Sequence, residues 1–514
     1  MRSSFQLKLL SLAVATLGTA TVANAAGLDR SGQDVSAFLQ DGTYAELVYT
    51  YVDADVSGHG LNAVRKETPN PATGKPDIST TYVQGEATGD MTPSYDFFRY
   101  GVKADINDTF SVGVLYDEPF GASVLQQGSS NFVSQGGDHT INELTVAASQ
   151  QLPTVQEAIN AHGLLSRKAG ILRSGVINGG KRIEELRQQG KLDKLPPAAL
   201  KSYEDNKKEA IELLGPNLDG ASGTVARLTG AINAANTAEA QKGQGTQVDI
   251  RTNNLTALLG MKFGDNKQFQ IYGGPSLSRV SGNVALRGVA YSGLTGYDAR
   301  IKPDTDLGWV AGASYSIPKI ALKAALTYRS EIEHESSIYE NVPATGKESS
   351  SKFGVKLPPS YNLDFQTGVN PTTLLSAKVR YVPWSDFEIR PPAYGAVTER
   401  VAGKPLPIVS YAKDQWSVDV SLGKRLAPKL AVSAGIGYDS GAGKMATTLG
   451  PINGYYSASL GAKYDVTKNW SVSVGGKYLK FGDATATLPT GQVAGHFKNN
   501  DGFAAGLKLA YQAK

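Results

Sequence analysis

The chain has 514 residues and no cysteine, so it is too long for one ordinary soluble core and no disulfide bond holds its fold. Its formal net charge of +4 at pH 7 gives no reason to expect a nucleic-acid partner. The 57 glycines and 24 tyrosines suit a large all-β protein, since Gly favours turns and Tyr favours membrane interfaces.

Residues 1–25 form a predicted signal peptide. Arg2 and Lys8 supply positive charge, an apolar segment follows, and Ala23-Asn24-Ala25 fits a small-x-small cleavage site. The predicted mature chain therefore begins at Ala26. It contains no run of about 20 apolar residues, the length that a transmembrane helix needs, so a membrane role would require a β-barrel.

Residues 26–42 precede the first predicted strand and are short and polar, with one apolar pair at Phe38-Leu39. Two interpretations are open for this segment. It folds into a barrel as a small N-terminal plug, or it is a disordered tail.

Alternating apolar and polar residues predict barrel strands 1–3 within residues 43–121. The clearest hairpin runs from Ser94 to Gly121 around the turn Asn107-Asp108. Its second strand, the third of the barrel, ends in Pro119-Phe120-Gly121. Because Pro cannot donate to a ladder and Gly often marks a bend, we predict a kink or break there.

Residues 122–246 interrupt the strand pattern and are predicted to form an extracellular insertion between strands 3 and 4. Helical spacing covers residues 152–243 and begins at a capping box made by Thr154 and Glu157. The segment Asp138 to Ala148 has a pattern that also suits a strand. We assign it to the insertion because a further strand would make the count odd.

Residues 247–514 contain eleven more alternating segments, which we interpret as strands 4–14. Short turns alternate with long loops, as in bacterial barrels with periplasmic turns and extracellular loops. The sequence therefore predicts an all-β transmembrane barrel of about 14 antiparallel strands in the outer membrane of a Gram-negative bacterium. A secreted soluble all-β protein is the alternative.

Cationic side chains stand at positions of the alternation that face the predicted lumen. A guanidinium held inside a barrel could bind a ligand carboxylate through two hydrogen bonds. Alternatively, each cation pairs with an acidic neighbour and only fills the interior. The predicted ligand-binding cations are Arg99, Lys103, Lys323, Arg329 and Arg380.

The sequence shows no arrangement typical of catalysis or metal binding. None of the five histidines has metal-ligand spacing. Glu333-His334-Glu335 could bind a cation, but we interpret it as a solvated strand end. No Gly-x-Ser-x-Gly motif occurs. We therefore predict no catalytic residue, no cofactor and no metal.

Three segments resemble the outer-membrane long-chain fatty acid transporter (FadL/OMPP1/TodX) family. They are the hairpin exit Glu118-Pro119-Phe120-Gly121, the segment Tyr328-Arg329-Ser330-Glu331 and the segment Pro383-Trp384-Ser385-Asp386-Phe387. With their order and spacing, the resemblance covers most of the mature chain except residues 152–243.

This resemblance implies a monomeric 14-stranded barrel that is plugged by an N-terminal hatch. It implies that hydrophobic substrates enter from outside and leave sideways, into outer-membrane lipid, through a gap at a kink in the third strand. Pro119, Phe120 and Gly121 stand at that position. One departure is the family's hatch motif Asn-Pro-Ala, which occurs here only at Asn70-Pro71-Ala72, after the first strand.

The sequence thus predicts a passive transporter of long-chain fatty acids or similar hydrophobic compounds, and not an enzyme. A lumen cation such as Arg329 or Lys323 would orient the head group of the ligand. Two other classes stay open: a diffusion porin for polar solutes, and a surface adhesin or receptor that uses the helical insertion.

Overall fold

The computed structural model describes residues 28–71, 76–146 and 151–513. The predicted signal peptide lies outside these ranges. The described strands, in chain order, are β1 (Tyr44–Asp55), β2 (Gly58–Thr68), β3 (Asp77–Ala87), β4 (Tyr95–Asp105), β5 (Phe110–Asp117), β6 (Gly121–Leu125), β7 (Gln247–Phe263), β8 (Phe269–Ala285), β9 (Asp298–Ile317), β10 (Leu322–Arg329), β11 (Ile332–Val342), β12 (Lys347–Leu357), β13 (Ser360–Asn370), β14 (Thr373–Val382), β15 (Glu388–Ile389), β16 (Val409–Ser410), β17 (Gln415–Ala427), β18 (Leu430–Asp439), β19 (Met445–Thr447), β20 (Tyr455–Asp465), β21 (Trp470–Phe481), β22 (Ala484–Thr487), β23 (Val493–Phe497) and β24 (Asp501–Gln512).

Fourteen antiparallel strands close into a barrel, because β1 pairs with β4 on one side and with β24 on the other. Three of the fourteen are interrupted and consist of two segments each, namely β5–β6, β10–β11 and β12–β13. The remaining barrel strands are β1, β4, β7, β8, β9, β14, β17, β18, β20, β21 and β24. The structure confirms the predicted strand number.

All connections at one end of the barrel are short turns, and all long connections leave from the other end, where residues 343–346 between β11 and β12 are the one short connection in the described part of the chain. We call this the loop end and the opposite one the turn end. At the loop end, β19, β22, β23, β2 and β3 form a separate five-stranded sheet. Residues 58–89 contain Pro69, Pro71 and Pro76, which predict a long loop, whereas the structure forms the β2–β3 hairpin there.

Two rings of aromatic side chains surround the outer face of the barrel. Toward the loop end, Trp309, Tyr328 and Tyr361 form part of a chain of contacts with ring centroids 5.0–5.1 Å apart. Toward the turn end, the Trp470 and Tyr511 rings are 5.1 Å apart. Residues of the two rings that stand eight positions apart on one strand are separated by about 26 Å along that strand. Because the strands are tilted, the distance between the rings along the barrel axis is shorter, and it is close to the height of the apolar band of an outer-membrane barrel.

In the part of the chain that the structure describes, four α-helices lie between β6 and β7, and a fifth lies between β15 and β16. Thr154 begins the longest one as predicted, since its side chain accepts a hydrogen bond from the Glu157 N–H (3.2 Å). No helix in the described ranges combines the length and the apolar content that a membrane crossing requires. The helices are α1 (Gly137–Leu144), α2 (Val155–Gln188), α3 (Pro197–Leu214), α4 (Thr224–Ala240) and α5 (Pro392–Ala402).

The strand pattern at residues 138–148 was misleading, because the described part of this segment is the helix α1. Its buried Ile141 packs in an apolar cluster with Leu152, Leu228 and Ala235. The third barrel strand also continues, as β6, to Leu125, past the predicted boundary at residue 121. Both differences arise from packing between segments that are distant in sequence.

Residues 28–41 form a plug inside the barrel. This confirms the first interpretation of the N-terminal segment, a small plug, and excludes the second, a disordered tail. Val35 and Phe38 are fully buried. Glycines in the wall make room for the plug: a Cβ on Gly113 would lie 2.7 Å from the Phe38 ring, and one on Gly101 would lie 2.9 Å from the Ala37 Cβ. Backbone and plug therefore approach closely where the wall lacks side chains.

Candidate ligand path through the barrel wall

The third barrel strand is interrupted at the predicted kink. β5 ends at Asp117 and β6 begins at Gly121. On the side of β7 the strand stays attached across this break, since the Phe120 N–H donates to Thr252 Oγ1 (2.9 Å) and the Thr252 N–H donates to the Phe120 carbonyl (3.1 Å). The break therefore affects only one edge of the strand.

The other edge of the third strand separates from β4. The ladder between β4 and β5 covers Tyr100–Asp105 of β4. In the described part of the chain, residues 95–99 of β4 have a ladder with β1 but none with β6, which pairs with β7. The wall thus lacks backbone pairing between β4 and β6, in its loop-end half.

The N-terminal end of the plug occupies this gap. The Arg30 N–H donates to the Pro119 carbonyl (2.7 Å), and the Gly121 N–H donates to the Leu28 carbonyl (2.8 Å). The Arg30 guanidinium lies 4.4 Å from the centre of the Tyr95 ring. A Cβ on Gly121 would lie 2.7 Å from the Ile250 carbonyl oxygen and 2.7 Å from the Arg30 Cζ, and because the carbonyl belongs to the backbone of β7, this position favours glycine.

An apolar cavity lies beside the gap. It is lined by Leu28 of the plug, by Ala122 of β6 and by aliphatic side chains of β7, β8, β9 and β11, among them Ile250 and Ile338. Phe120 is buried nearby, with its ring edge-on to the Trp384 ring at 5.5 Å. The cavity leaves only about 20 Å³ for water-sized molecules, so a larger ligand would have to displace side chains or the plug.

Two buried carboxylates of the plug hold three cations of the wall. Asp34 lies 3.1 Å from the Arg99 guanidinium and 2.6 Å from the Lys378 ammonium. Asp29 accepts two hydrogen bonds from Arg380, at 2.5 and 3.1 Å. Burial raises the pKa of the Asp34 carboxyl, but the charges of Lys378 and Arg99 outweigh burial and hold that pKa well below its usual range.

The other predicted lumen cations contact the C-terminal half of the plug or its centre. Lys103 donates to the carbonyls of Gln40 (2.7 Å) and Gly42 (3.0 Å), and Lys323 donates to the carbonyl of Leu39. Arg329 donates to Thr256 Oγ1 (3.1 Å) and more weakly to the Gln33 carbonyl (3.4 Å). The structure thus brings all five predicted cations to the plug, at different heights.

Sequence reasoning missed the acidic partners of these cations. Asp29 and Asp34 stand in the short segment before the first strand, and only the surplus of inward cations could have drawn attention to them. Asp117 at the end of β5 also contacts the plug, since it accepts a hydrogen bond from Ser31 (2.9 Å). Whether any of the five cations binds a ligand stays a prediction.

The closed barrel, its aromatic rings and its inserted plug define an outer-membrane barrel protein of a Gram-negative bacterium. The sequence model of the family described as outer membrane protein transport protein (OMPP1/FadL/TodX) matches residues 226–511, more than half of the chain. The chain belongs to this family of outer-membrane transport proteins. No curated protein matches it by sequence.

Solved structures that are similar to this one have little sequence identity to the chain. A FadL homologue of Pseudomonas aeruginosa is 14% identical, with 97% of this chain and 98% of the other covered, and the TM-score is 0.56. The toluene transporter TodX of P. putida is 12% identical over 93% and 91% of the two chains, with a TM-score of 0.46. The toluene transporter TbuX of Ralstonia pickettii is 10% identical over 98% and 99%, with a TM-score of 0.47.

Proposed function

We propose that the protein is a passive transporter of long-chain fatty acids or similar hydrophobic compounds, and that it releases them sideways into the outer membrane. The ligand enters at the loop end, which faces outside the cell. It passes the apolar cavity and leaves between β4 and β6 beside Phe120. The observation that carries this proposal is the unpaired stretch of the wall next to an apolar cavity.

Physical chemistry favours such a path for an apolar ligand. Burial of an alkyl chain contributes about 0.8 kcal/mol per methylene, so an aliphatic cavity would retain the chain against water. A gap in the wall lets the ligand pass into lipid without returning to water. Phe98 of β4, at the edge of this gap, is already exposed on the outer face of the barrel.

Among the five predicted cations, Arg329 is the one that we propose as the partner of a ligand carboxylate. The Arg329 side chain is buried. Among the described residues, no carboxylate lies within 4.0 Å of its guanidinium, and none forms a hydrogen bond with its Nε. Arg99 and Arg380, in contrast, are paired with plug carboxylates. A carboxylate head group at Arg329 would gain a hydrogen bond without breaking an ion pair.

A reversible cross-link across the gap tests lateral release. The β4–β5 ladder ends at Tyr100 opposite Tyr116, and just beyond it the Glu118 carboxyl accepts a hydrogen bond from the Phe98 N–H, so these two residues lie close together at the edge of the gap. A disulfide joins residues whose Cα atoms lie about 4.4–6.8 Å apart. The substitutions are Phe98→Cys and Glu118→Cys, and no native cysteine competes.

The matched control is Val102→Cys with Val114→Cys, which joins the same two strands where their ladder is intact. We expect the oxidised Phe98–Glu118 pair to stop uptake of a fluorescent long-chain fatty acid by intact cells, and a reductant to restore it. The control pair should support uptake in both redox states. Full uptake by the oxidised gap variant would refute lateral release.

The lumen does not favour the porin alternative, because the plug and its ion pairs lie across it. Steady ion conductance of the unmodified protein in planar bilayers would support a porin instead. The barrel closes on itself through β1 and β24, so the wall needs no partner chain, and we propose that the protein acts as a monomer. We propose no catalytic role.

A further inference from the structure

A second stretch of the wall lacks backbone pairing, between β9 and the strand formed by β10 and β11. Toward the turn end, β9 pairs with β10 as far as Val310 opposite Arg329. Toward the loop end, it pairs with β11 from Ile301 opposite Ile338. Both stretches follow one register, yet no ladder is described for residues 302–309 and 330–337, which lie between them; at the turn-end limit of this stretch the Ser330 N–H donates to the Trp309 carbonyl (2.9 Å).

The two strands are out of phase in this stretch. In β9 the inward residues from 304 to 310 have even numbers. Nearer the loop end, the buried residues of β9 are Ala299 and Ile301, which have odd numbers. In the other strand Thr327 and Arg329 point inward before the break at Ser330, and even-numbered residues do so after it. Inward side chains therefore interleave across the stretch instead of facing each other, which prevents a regular ladder.

Interleaving places His334 between two carboxylates of the neighbouring strand. Its Nδ1 lies 3.3 Å from Asp304 Oδ2 and 3.5 Å from Asp306 Oδ2. One ligand atom from each of the three side chains lies within 4.8 Å of the other two. His334 is fully buried, so its interpretation as a solvated strand end was wrong: Glu333 and Glu335 take the exposed positions on either side.

The two carboxylates face the same ring nitrogen of His334, Nδ1. Among the described residues no partner lies within hydrogen-bond distance of the buried His334 Nε2. Asp304, Asp306 and His334 thus direct two oxygens and one nitrogen to a common point, as a metal ion requires.

We propose that Asp304, Asp306 and His334 bind one divalent transition-metal ion of the zinc type. Zinc takes imidazole nitrogen and carboxylate oxygen at about 2.0–2.2 Å, so two ligands of a tetrahedral ion lie roughly 3.3–3.6 Å apart. The two distances from His334 Nδ1 fall in this range. Calcium and magnesium take oxygen ligands, so the buried imidazole selects against them.

The bound ion would join β9 to β11 where their backbones do not. Ile332 packs over Gly308 in the same stretch, where a Cβ would lie 2.6 Å from the Ile332 side chain. The three metal ligands lie on the loop-end side of Trp309, outside the part of the barrel that the two rings of aromatic side chains enclose. These three residues do not line the apolar cavity of the proposed transport path, although Ile301 and Ile338 of the same two strands do.

Metal titration of the detergent-purified full chain tests the proposal. Isothermal titration with zinc chloride gives the stoichiometry, and the visible absorption of added Co²⁺ reports the number of ligands. The test variants are Asp304→Asn and Asp306→Asn, which keep the side-chain shape. The control is the double variant His59→Gln and His496→Gln, because these residues lie opposite each other in the loop-end sheet and form an alternative pair of ligands.

We expect one zinc ion per chain in the unmodified protein and in the control, with the intense Co²⁺ absorption of a four-coordinate site. Each Asp variant should lose at least about tenfold in zinc affinity, since it removes a ligand. Far-UV circular dichroism checks that each variant is folded. The proposal would be overturned if the unmodified chain bound no zinc, if both Asp variants bound zinc as tightly as the unmodified protein, or if the His59 and His496 control lost the ion.

Discussion

The substitution Asp34→Asn tests whether buried ion pairs hold the plug in the barrel. The Asp34 carboxylate joins Arg99 and Lys378, and the amide of Asn keeps only one oxygen acceptor and no charge. Loss of one partner from a buried ion pair costs about 3–5 kcal/mol. We take the lower end, about 3 kcal/mol, which corresponds to about a hundredfold shift in the equilibrium between seated and displaced plug.

Single-channel recording in planar bilayers measures this shift. A displaced plug opens the lumen to ions, so the fraction of time in a conducting state should rise about a hundredfold in Asp34→Asn, as the equilibrium shift above implies. The control is Asp419→Asn, which removes an ion pair with Lys477 (2.8 Å) between two wall strands and leaves the plug contacts in place. The reasoning is wrong if Asp34→Asn conducts no more than the unmodified protein, or if both variants conduct equally.

Two further predictions concern ligand and insertion. The substitution Arg329→Gln should raise the fatty acid concentration for half-maximal uptake about tenfold, because a charged hydrogen bond is lost. Uptake of an uncharged alkane should stay unchanged. Uptake rates of both compounds measure the effect, and an equal effect on both would exclude a contact between Arg329 and the head group. Replacement of residues 155–214, the α2–α3 hairpin, by a short Gly-Ser linker should keep fatty acid uptake within about twofold, because the apolar cavity and the gap contain no residue of these helices. Loss of uptake with a folded barrel would show that the insertion takes part in ligand capture.

Strand positions and the interruption near Phe120 could be predicted because both are properties of local sequence. Alternation assigns residues to the two faces of a strand, and the lack of a Pro N–H together with a following Gly marks a break. The sequence also identified Arg99, Lys103, Lys323, Arg329 and Arg380 as inward cations. Their contacts with the plug depend on how a distant segment folds into the lumen, which no local pattern specifies.

The errors have the same origin. Residues 137–144 carry apolar side chains at spacings that suit either a strand or a short helix, and packing of Ile141 against the helical cluster decides between them. His334 seemed exposed because Glu333 and Glu335 flank it. Its burial follows from a change of phase between β9 and β11, which arises only when two strands meet in the barrel.

The attachment of Phe120 to Thr252 has a consequence for how such a transporter can change its substrate. Since one edge of the third strand is held by its neighbour regardless of the plug, substitutions in residues 28–41 can alter the opening without loss of the cylinder's integrity. Selection, or a protein engineer, can therefore exchange this short N-terminal segment to suit bulkier or slimmer cargo. The scaffold that resides in the lipid would stay as it is.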